Sequence, residues 1–292
     1  MSSTPSRRLA IAAWLAVCVL WGTTYLAIRI ALETIPPMLM GGMRWTTAGA
    51  CILAVMRLRN DPIPGRAEWP TLAALGVLLI GFGNGGVVWA EQTLPSGLTA
   101  LLVAVIPFWM IGVERVAGDS TPLTLVRALG LVVGFSGILL LVWPEIEVDR
   151  GRGFLVGVAA TQLACLGWAI GSSYSRRRKP TENVLAVAAF QMLFGGLVMF
   201  ALGALHAEWP RLAFNERTGS AIVYLVVFGS VAGFSAYAYA LKHLPIATVS
   251  LYAYVNPIIA MALGTIILDE PLSPRLAVAG CVVLTGIAMV RR

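Results

Sequence analysis

The residues best able to do chemistry in this sequence are polar side chains set within long apolar runs. Arg44 and Glu91 are the charged members of this set, and Asn84, Gln191 and Asn256 are its neutral amides. An amide without a partner in an apolar medium costs on the order of a few kcal/mol, so each faces a neighbouring helix or a water-filled cavity. Together the amides suggest a path lined with neutral polar groups. For each alone, hydrogen bonding between helices is the alternative.

Arg44 and Glu91 are predicted to lie near one another. Arg44 is about seven residues, or about 10 Å, inside its apolar run, and Glu91 is the acid nearest to it in depth. A buried arginine in a membrane protein is functional by default and needs an acid or a carbonyl as partner. The pair is therefore predicted to gate the outer mouth or to hold a substrate carboxylate. A structural pair, or an arginine that snorkels to the surface as Arg29 is expected to do, is the alternative.

A second set of candidates is aromatic: Tyr25, Trp89, Trp168, Tyr239 and Tyr252. Their faces suit an amphipathic or aromatic substrate, or a cation. Ordinary packing is the alternative for any one ring.

Two prolines lie in a stretch that occurs twice, as Leu94–Pro107 and again as Leu244–Pro257. Both copies read Leu-Pro, eleven residues, Pro, at an offset of 150. Pro107 and Pro257 fall near the middle of their apolar runs, where a proline removes a backbone hydrogen bond and kinks the helix. A proline kink in both copies predicts a substrate site or a hinge near the middle of the membrane. A packing kink without a ligand is the alternative.

Residue types that are absent from the apolar runs argue against several classes of site, among them metal sites and enzyme active sites. All fourteen acids lie at run ends or in loops, so ion coupling, if present, is expected to use Glu91 or Glu114. The four cysteines have no metal-binding spacing and the two histidines lie near run ends, so no metal and no cofactor are expected. An intramembrane enzyme needs clustered His, Asp or Cys at one depth, and an ATP-driven pump needs a Walker A sequence. The sequence has neither.

The elements that position these residues must be membrane helices. Hydrophobic residues make up 58% of the 292 residues and charged ones 12%, and mean hydropathy is +0.83. So few charged residues cannot cover the surface of a soluble protein. Apolar runs of about 20 residues have the length that a helix needs to cross the hydrocarbon core of a bilayer. Ten spans are predicted, at about 9–33, 37–57, 71–91, 95–115, 123–143, 153–175, 183–205, 219–241, 245–267 and 274–290.

The basic residues set the orientation of these spans. Thirteen Lys and Arg lie on the side of the N-terminus and five on the other, so both termini are predicted to be cytoplasmic. Because basic residues flank the spans rather than forming one face, no nucleic-acid partner is expected. Residues 9–143 and 153–290 are predicted to be two five-helix repeats. An odd number of spans gives the repeats opposite orientation, an architecture typical of secondary transporters.

The chain also resembles a known family over both halves. WGTTY at Trp21–Tyr25, Arg44, the two Leu-Pro stretches and LDEPLSPRLAVAG at Leu268–Gly280 are similar to the EamA family of the drug/metabolite transporter superfamily. The resemblance implies a ten-helix transporter that exports metabolites such as amino acids from the cytoplasm.

The expectation is therefore an all-α integral membrane protein of the inner membrane. It is predicted to be a secondary transporter that exports amino acids or similar small amphipathic metabolites by alternating access. The alternatives are a passive channel or facilitator for neutral or zwitterionic solutes, and a multidrug efflux carrier. The expected partners are the small-molecule substrate and the lipid bilayer, with the chain a monomer or a weak homo-oligomer.

Overall fold

The computed structural model describes residues 7–118, 124–147, 151–178, 183–244, 246–249 and 251–290. These residues form ten helical spans and, within the described ranges, no strand. The spans are Arg7–Ala31 (α1), Pro37–Leu58 (α2), Arg66–Ala90 (α3), Ser96–Val116 (α4), Leu125–Glu147 (α5), Gly151–Arg178 (α6), Val184–Leu205 (α7), 216–243 (α8), Ile246–Val249 with Tyr252–Leu268 (α9), and Pro274–Val290 (α10).

Seven of the ten spans, α1–α4 and α6–α8, contain helices long and apolar enough to cross a membrane. The other three, α5, α9 and α10, hold shorter apolar helices. Backbone amides in lipid need partners within their own segment, and a helix supplies them. The prediction of an all-helical protein with ten helices is therefore confirmed.

Two spans contain wide π-helical segments, Gly76–Asn84 in α3 and Leu225–Ala232 in α8. Their first residues are 149 positions apart, close to the offset of the duplicated sequence. A π-helix bonds each N–H to the carbonyl five residues back and is frequent at functional sites. The wide turns displace the neighbouring side chains from ordinary helical register.

α4 and α9 are both interrupted, but at different positions relative to their prolines. α4 consists of the helices Ser96–Val103 and Ile106–Val116, so its break falls directly before Pro107. In α9 the break falls between Val249 and Tyr252, and Pro257 lies inside the second helix. The two copies therefore differ from the symmetric kink predicted at each proline. Pro245, the first proline of the second copy, lies outside the described residues.

The helices pack in a regular pattern. The most extensive pairs are α2 with α7 and α5 with α10, and α4 also packs on α9. α1 packs against α8 and α9, while α6 packs against α3 and α4. These two contacts of α1 thus have counterparts five helices later in the chain.

Glycines bring the two main helix pairs into close contact. A Cβ on Gly49 of α2 would lie 2.7 Å from the carbonyl oxygen of Ala189 in α7. In the α5–α10 pair, a Cβ on Gly286 would overlap the backbone nitrogen of Gly134. Membrane helices are held together by such packing because lipid tails are as apolar as the side chains.

The loops alternate between two ends of the bundle. Arg29 of α1 donates to the carbonyl of Gln92 after α3 at 3.2 Å, and Glu270 after α9 accepts from the backbone of Ser96 in α4 at 2.8 Å. We call this the outer end, because its loops are predicted to face away from the cytoplasm. At the opposite end, Arg177 Nη2 in α6 lies 3.6 Å from Glu114 Oε2 in α4. α1 therefore ends at the outer end and α6 at the opposite one.

Candidate substrate site and outer cleft

Arg44 is held by the π-helical segment of α8. Its side chain is 4% exposed, and its Nε donates to Ser230 Oγ at 2.9 Å. The guanidinium carbon also lies 4.2 Å from the centre of the Trp45 ring. A Cβ on Gly229 would lie 3.2 Å from Arg44 Nη2, so the missing side chain leaves room for the guanidinium. The partner of Arg44 is thus a neutral hydroxyl and an aromatic face.

The predicted direct pair between Arg44 and Glu91 does not form. Glu91 is fully buried, and neither of its carboxylate oxygens has a hydrogen-bond partner. It lies within electrostatic range of Arg44, Arg29 and Glu270. The two residues therefore share one region of the outer half, but Ser230 holds the Arg44 side chain away from the carboxylate.

Arg29 has a more specific contact than the predicted snorkelling. Its Nη1 donates to the backbone carbonyls of Glu91 and Gln92, which follow the last turn of α3. The last carbonyls of a helix have no partner within the helix. Arg29 supplies that partner and fixes the outer end of α3 against α1.

An aromatic cluster lies beside Arg44, built from α1, α2, α8 and α9. The ring of Trp21 is the centre of this cluster, with Tyr252 at 4.9 Å and both Phe234 and Tyr237 at 5.1 Å between ring centroids. Phe234 in turn lies 5.9 Å from Trp45, which stacks on Arg44. Trp21 Nε1 donates to the carbonyl of Gly229 at 3.2 Å, one residue before the serine that holds Arg44. The aromatic cluster and the arginine are thus anchored on the same π-helical segment.

Tyr25 connects the arginine to the aromatic cluster. It is half-buried one turn beyond Trp21 in α1. The phenol lies within electrostatic range of Arg44 and Glu91, and also of Tyr252. The fold therefore brings together three of the predicted residues, Tyr25, Arg44 and Tyr252, from three different helices.

Asn256 lies at the base of this cluster and is 6% exposed. With its amide nitrogen turned toward α1, it donates to the carbonyls of Cys18 and Tyr252 at 3.1 Å each. The bond to Cys18 ties α9 to α1, which is the interhelical alternative considered for the amide. Its contact with substrate stays a prediction.

The contacts described for the other predicted residues involve partners other than Arg44. Asn84 donates to the carbonyl of Leu79 at 3.1 Å within its own π-helical segment, and Gln191 is buried in α7. Trp168 packs from α6 against α3, where a Cβ on Gly83 would lie 3.1 Å from the indole ring. The remaining two, Trp89 and Tyr239, lie elsewhere: Trp89 is 39% exposed near the end of α3, and the Tyr239 ring lies 4.2 Å from that of His243.

Sequence reasoning missed three residues of this site, Ser230, Trp45 and Phe234. Ser230 is the lone hydroxyl of the apolar stretch Leu225–Ala232, and this isolation was the available signal. Trp45 follows Arg44 directly and resembles any buried aromatic residue in sequence. In the described ranges no group of three His, Cys, Asp or Glu residues lies close enough to hold a metal ion.

An open cleft lies at the outer end above Glu91. It has a volume of about 660 Å³ and is lined by Arg29, Leu32, Glu33, Gln92, Pro95 and Leu268–Pro271. The carboxylate of Glu270 forms one wall of the cleft and joins two helices. Glu270 accepts from the Ser96 backbone nitrogen and hydroxyl, each at 2.8 Å, and from the Gly97 nitrogen at 3.4 Å. It therefore caps the N-terminus of α4 from the end of α9, as the helix dipole favours.

Comparisons with known proteins agree with this architecture. The sequence profile of the EamA-like transporter family matches residues 8–143 and again residues 155–292. A relative in Escherichia coli K12, the uncharacterized inner membrane transporter YedA, is 34% identical over 88% of this chain and 82% of that protein. Protein PagO of Salmonella typhimurium is 27% identical over 86% and 82% of the two chains.

More distant proteins also match this chain. The uncharacterized transporter YoaV of Bacillus subtilis is 19% identical over 94% of each chain. A protein of known crystal structure has a TM-score of 0.65 at 19% identity and matches over 97% of this chain and 96% of its own. The resemblance inferred from the sequence motifs is confirmed. The chain belongs to the EamA-like transporter family and is a multi-pass inner-membrane transporter.

Proposed function

We propose that this transporter exports small amphipathic metabolites, amino acids first, by alternating access. The observation that carries the proposal is the buried arginine beside an aromatic cluster. Of the three guanidinium nitrogens of Arg44, only Nε has a hydrogen-bond partner among the described residues. A guanidinium carries five N–H donors in a planar fork, so its terminal nitrogens are suited to a substrate carboxylate.

The aromatic cluster suits the other parts of such a substrate. Trp21 and Tyr252 present ring faces to an apolar side chain or to an ammonium group. Tyr25, between the cluster and Arg44, supplies a hydroxyl. A zwitterion needs a local partner for each charge and no net counter-charge. Asn84, Gln191, Trp168, Trp89 and Tyr239 are proposed to line the path farther from this site.

Alternating access is proposed because the chain has features of two inverted five-helix repeats, 9–143 and 153–290. The family profile matches twice, and π-helical segments occur in both α3 and α8. α1 ends at the outer end of the bundle, whereas α6, its counterpart, ends at the opposite end. Transporters built this way move one repeat against the other around a central site. Both termini are proposed to lie in the cytoplasm.

Exchange measurements in proteoliposomes test the proposal. Vesicles loaded with an unlabelled amino acid are expected to accumulate the labelled one transiently, since a carrier shows counterflow. Arg44→Gln is expected to lower exchange about tenfold or more, equivalent to a loss of about 1.4 kcal/mol or more. The matched control is Arg59→Gln, because Arg59 is an exposed arginine just beyond the other end of α2.

Three results would contradict parts of this proposal. Flux without saturation or counterflow would favour a passive channel. Counterflow with cationic drugs but with no amino acid would favour a multidrug carrier. Normal exchange by Arg44→Gln would remove the arginine from the site.

A further inference from the structure

Glu91 is a fully buried carboxyl group for which the described residues provide no donor. Its exposed fraction is 0%, and neither oxygen has a hydrogen-bond partner. An ionised carboxylate without donors in a buried site is costly, so the protonated, neutral form is favoured there. The proposed substrate site does not use this group.

The charged groups around Glu91, and the tyrosine beside them, come from three elements, and Cys165 of α6 lies near that tyrosine. Arg29 and Tyr25 lie on α1, Arg44 lies on α2, and Glu270 follows α9. α4 and α6 also pack near the end of α3, but residues 96–113 and 153–175 contain no Asp, Glu, Lys, Arg or His. Two arginines therefore favour the ionised form of Glu91, whereas burial and the charge of Glu270 oppose it.

Glu270 is a carboxylate within electrostatic range of Glu91, and it joins two helices at the outer end. Its three bonds to Ser96 and Gly97 join α9 to α4 beside the cleft. The join is tight, because a Cβ on Gly264 would overlap Glu270 Oε2 and lie 2.7 Å from Ser96 Oγ. Gln92, the neighbour of Glu91, lines the same cleft as Glu270. A second negative charge at position 91 repels the capping carboxylate.

We propose that Glu91 binds a proton while the outer end is closed, and that loss of this proton opens the contact between Glu270 and the N-terminus of α4. The proton leaves the Glu91 carboxylic acid for water that enters the cleft, and a carboxylate remains. The repulsion between the two carboxylates then weakens the cap, and Arg29 and Arg44 stabilise the new charge. In the cell, this proton site would let the external pH control outward opening. That role rests on the proposed transport function.

Distance measurements between spin labels test the proposal without any transport assay. The full-length protein, with the exposed Cys51 and Cys281 changed to serine, carries labels at Thr93→Cys before α4 and Leu272→Cys after α9. Double electron–electron resonance in lipid then reports the separation of the two outer ends. We expect the long-distance population to rise several-fold between about pH 5 and about pH 9, a range that includes the titration of a perturbed carboxyl group.

Glu91→Gln is expected to abolish this rise and to keep the short distance at every pH, because the amide cannot become charged. The matched control is Glu33→Gln. Glu33 lines the same cleft, but it is exposed and lies 3.1 Å from Arg217. This variant is expected to keep the wild-type response.

An unchanged pH response in Glu91→Gln would overturn the proposal, as would a wild-type protein whose distances do not depend on pH. If Glu91→Gln cannot be recovered from membranes, Glu91→Asp replaces it. The shorter carboxyl is expected to shift the midpoint of the response, and an unshifted midpoint would overturn the proposal. A pH response that is lost in Glu91→Gln, together with failed amino-acid exchange, would reject the proposed transport function alone.

Discussion

The two copies of the Leu-Pro stretch have the same sequence pattern but different local structures. In α4 the helix stops at Val103 and restarts at Ile106, so Pro107 stands in a new first turn. In α9 the interruption comes earlier, and Pro257 is enclosed in the helix Tyr252–Leu268. A duplicated proline therefore does not by itself set the position of a break.

The polar groups around each proline explain the difference. In α9, Asn256 binds the carbonyls of Tyr252 and Cys18, which keeps the turn before Pro257 helical and attached to α1. In α4 the equivalent residue is Ile106, which has no polar group. There the carbonyl of Leu102 is approached from α6 instead, by Gln162 Nε2 at 3.5 Å and Cys165 Sγ at 3.7 Å. The break in α4 thus lies beside side chains of a neighbouring helix, whereas in α9 a side chain of the span itself holds the turn before the proline.

The largest effect is expected when the polar group of the second copy is removed. Asn256→Ala removes two buried hydrogen bonds, to the carbonyls of Cys18 and Tyr252, so it is expected to lower the free energy of unfolding by roughly 1–3 kcal/mol and to weaken transport while expression persists. The matching change at the first copy is Gln162→Ala on α6, whose side chain contacts the Leu102 carbonyl. Gln162 accepts from Trp109 Nε1 at 2.9 Å but makes only a long bond to Leu102. Its loss is expected to cost about 1 kcal/mol.

Thermal unfolding in detergent and exchange in proteoliposomes measure both variants. Equal losses in the two variants would show that the copies depend equally on their polar groups. Wild-type exchange by Asn256→Ala would remove this residue from the transport path.

A smaller effect of opposite sign is expected at Pro257. Proline inside a helix removes one backbone hydrogen bond. Pro257→Ala restores the donor within α9, so it is expected to raise the free energy of unfolding by about 1 kcal/mol. A higher midpoint of thermal unfolding would support this expectation. A lower midpoint would show that the surrounding helices require the proline kink.

The smallest effect is expected at Pro107. Its missing N–H lies in the first turn of the helix Ile106–Val116, where the N–H groups have no partner within the helix. Pro107→Ala is therefore expected to lower the free energy of unfolding by about 0.4–1 kcal/mol, through the greater freedom of the unfolded chain. A gain in stability as large as that of Pro257→Ala would mean that the break in α4 depends on the proline.

Much of the architecture was predictable from the sequence because lipid leaves few alternatives. The ten helices follow from apolar runs of spanning length, and the family follows from motifs such as WGTTY and the duplicated Leu-Pro stretch. Individual contacts were less predictable. Arg44 was assigned a carboxylate as partner because charge and depth favoured Glu91, whereas its bonded partner is Ser230. Depth along a helix carries no information on rotation about its axis.

The sequence alone determined that this chain is a ten-helix membrane transporter with isolated polar groups in α2, α3, α7 and α9. Hydrophobic length and composition suffice for the helices, since every backbone amide in lipid must be bonded within its own helix. The transporter function follows from the resemblance to the EamA family. Only the tertiary structure decided which of those groups meet. It placed Arg44 on Ser230 and left the Glu91 carboxylate without a donor. It also joined Glu270 to α4 across the cleft, because such contacts depend on how separate helices pack.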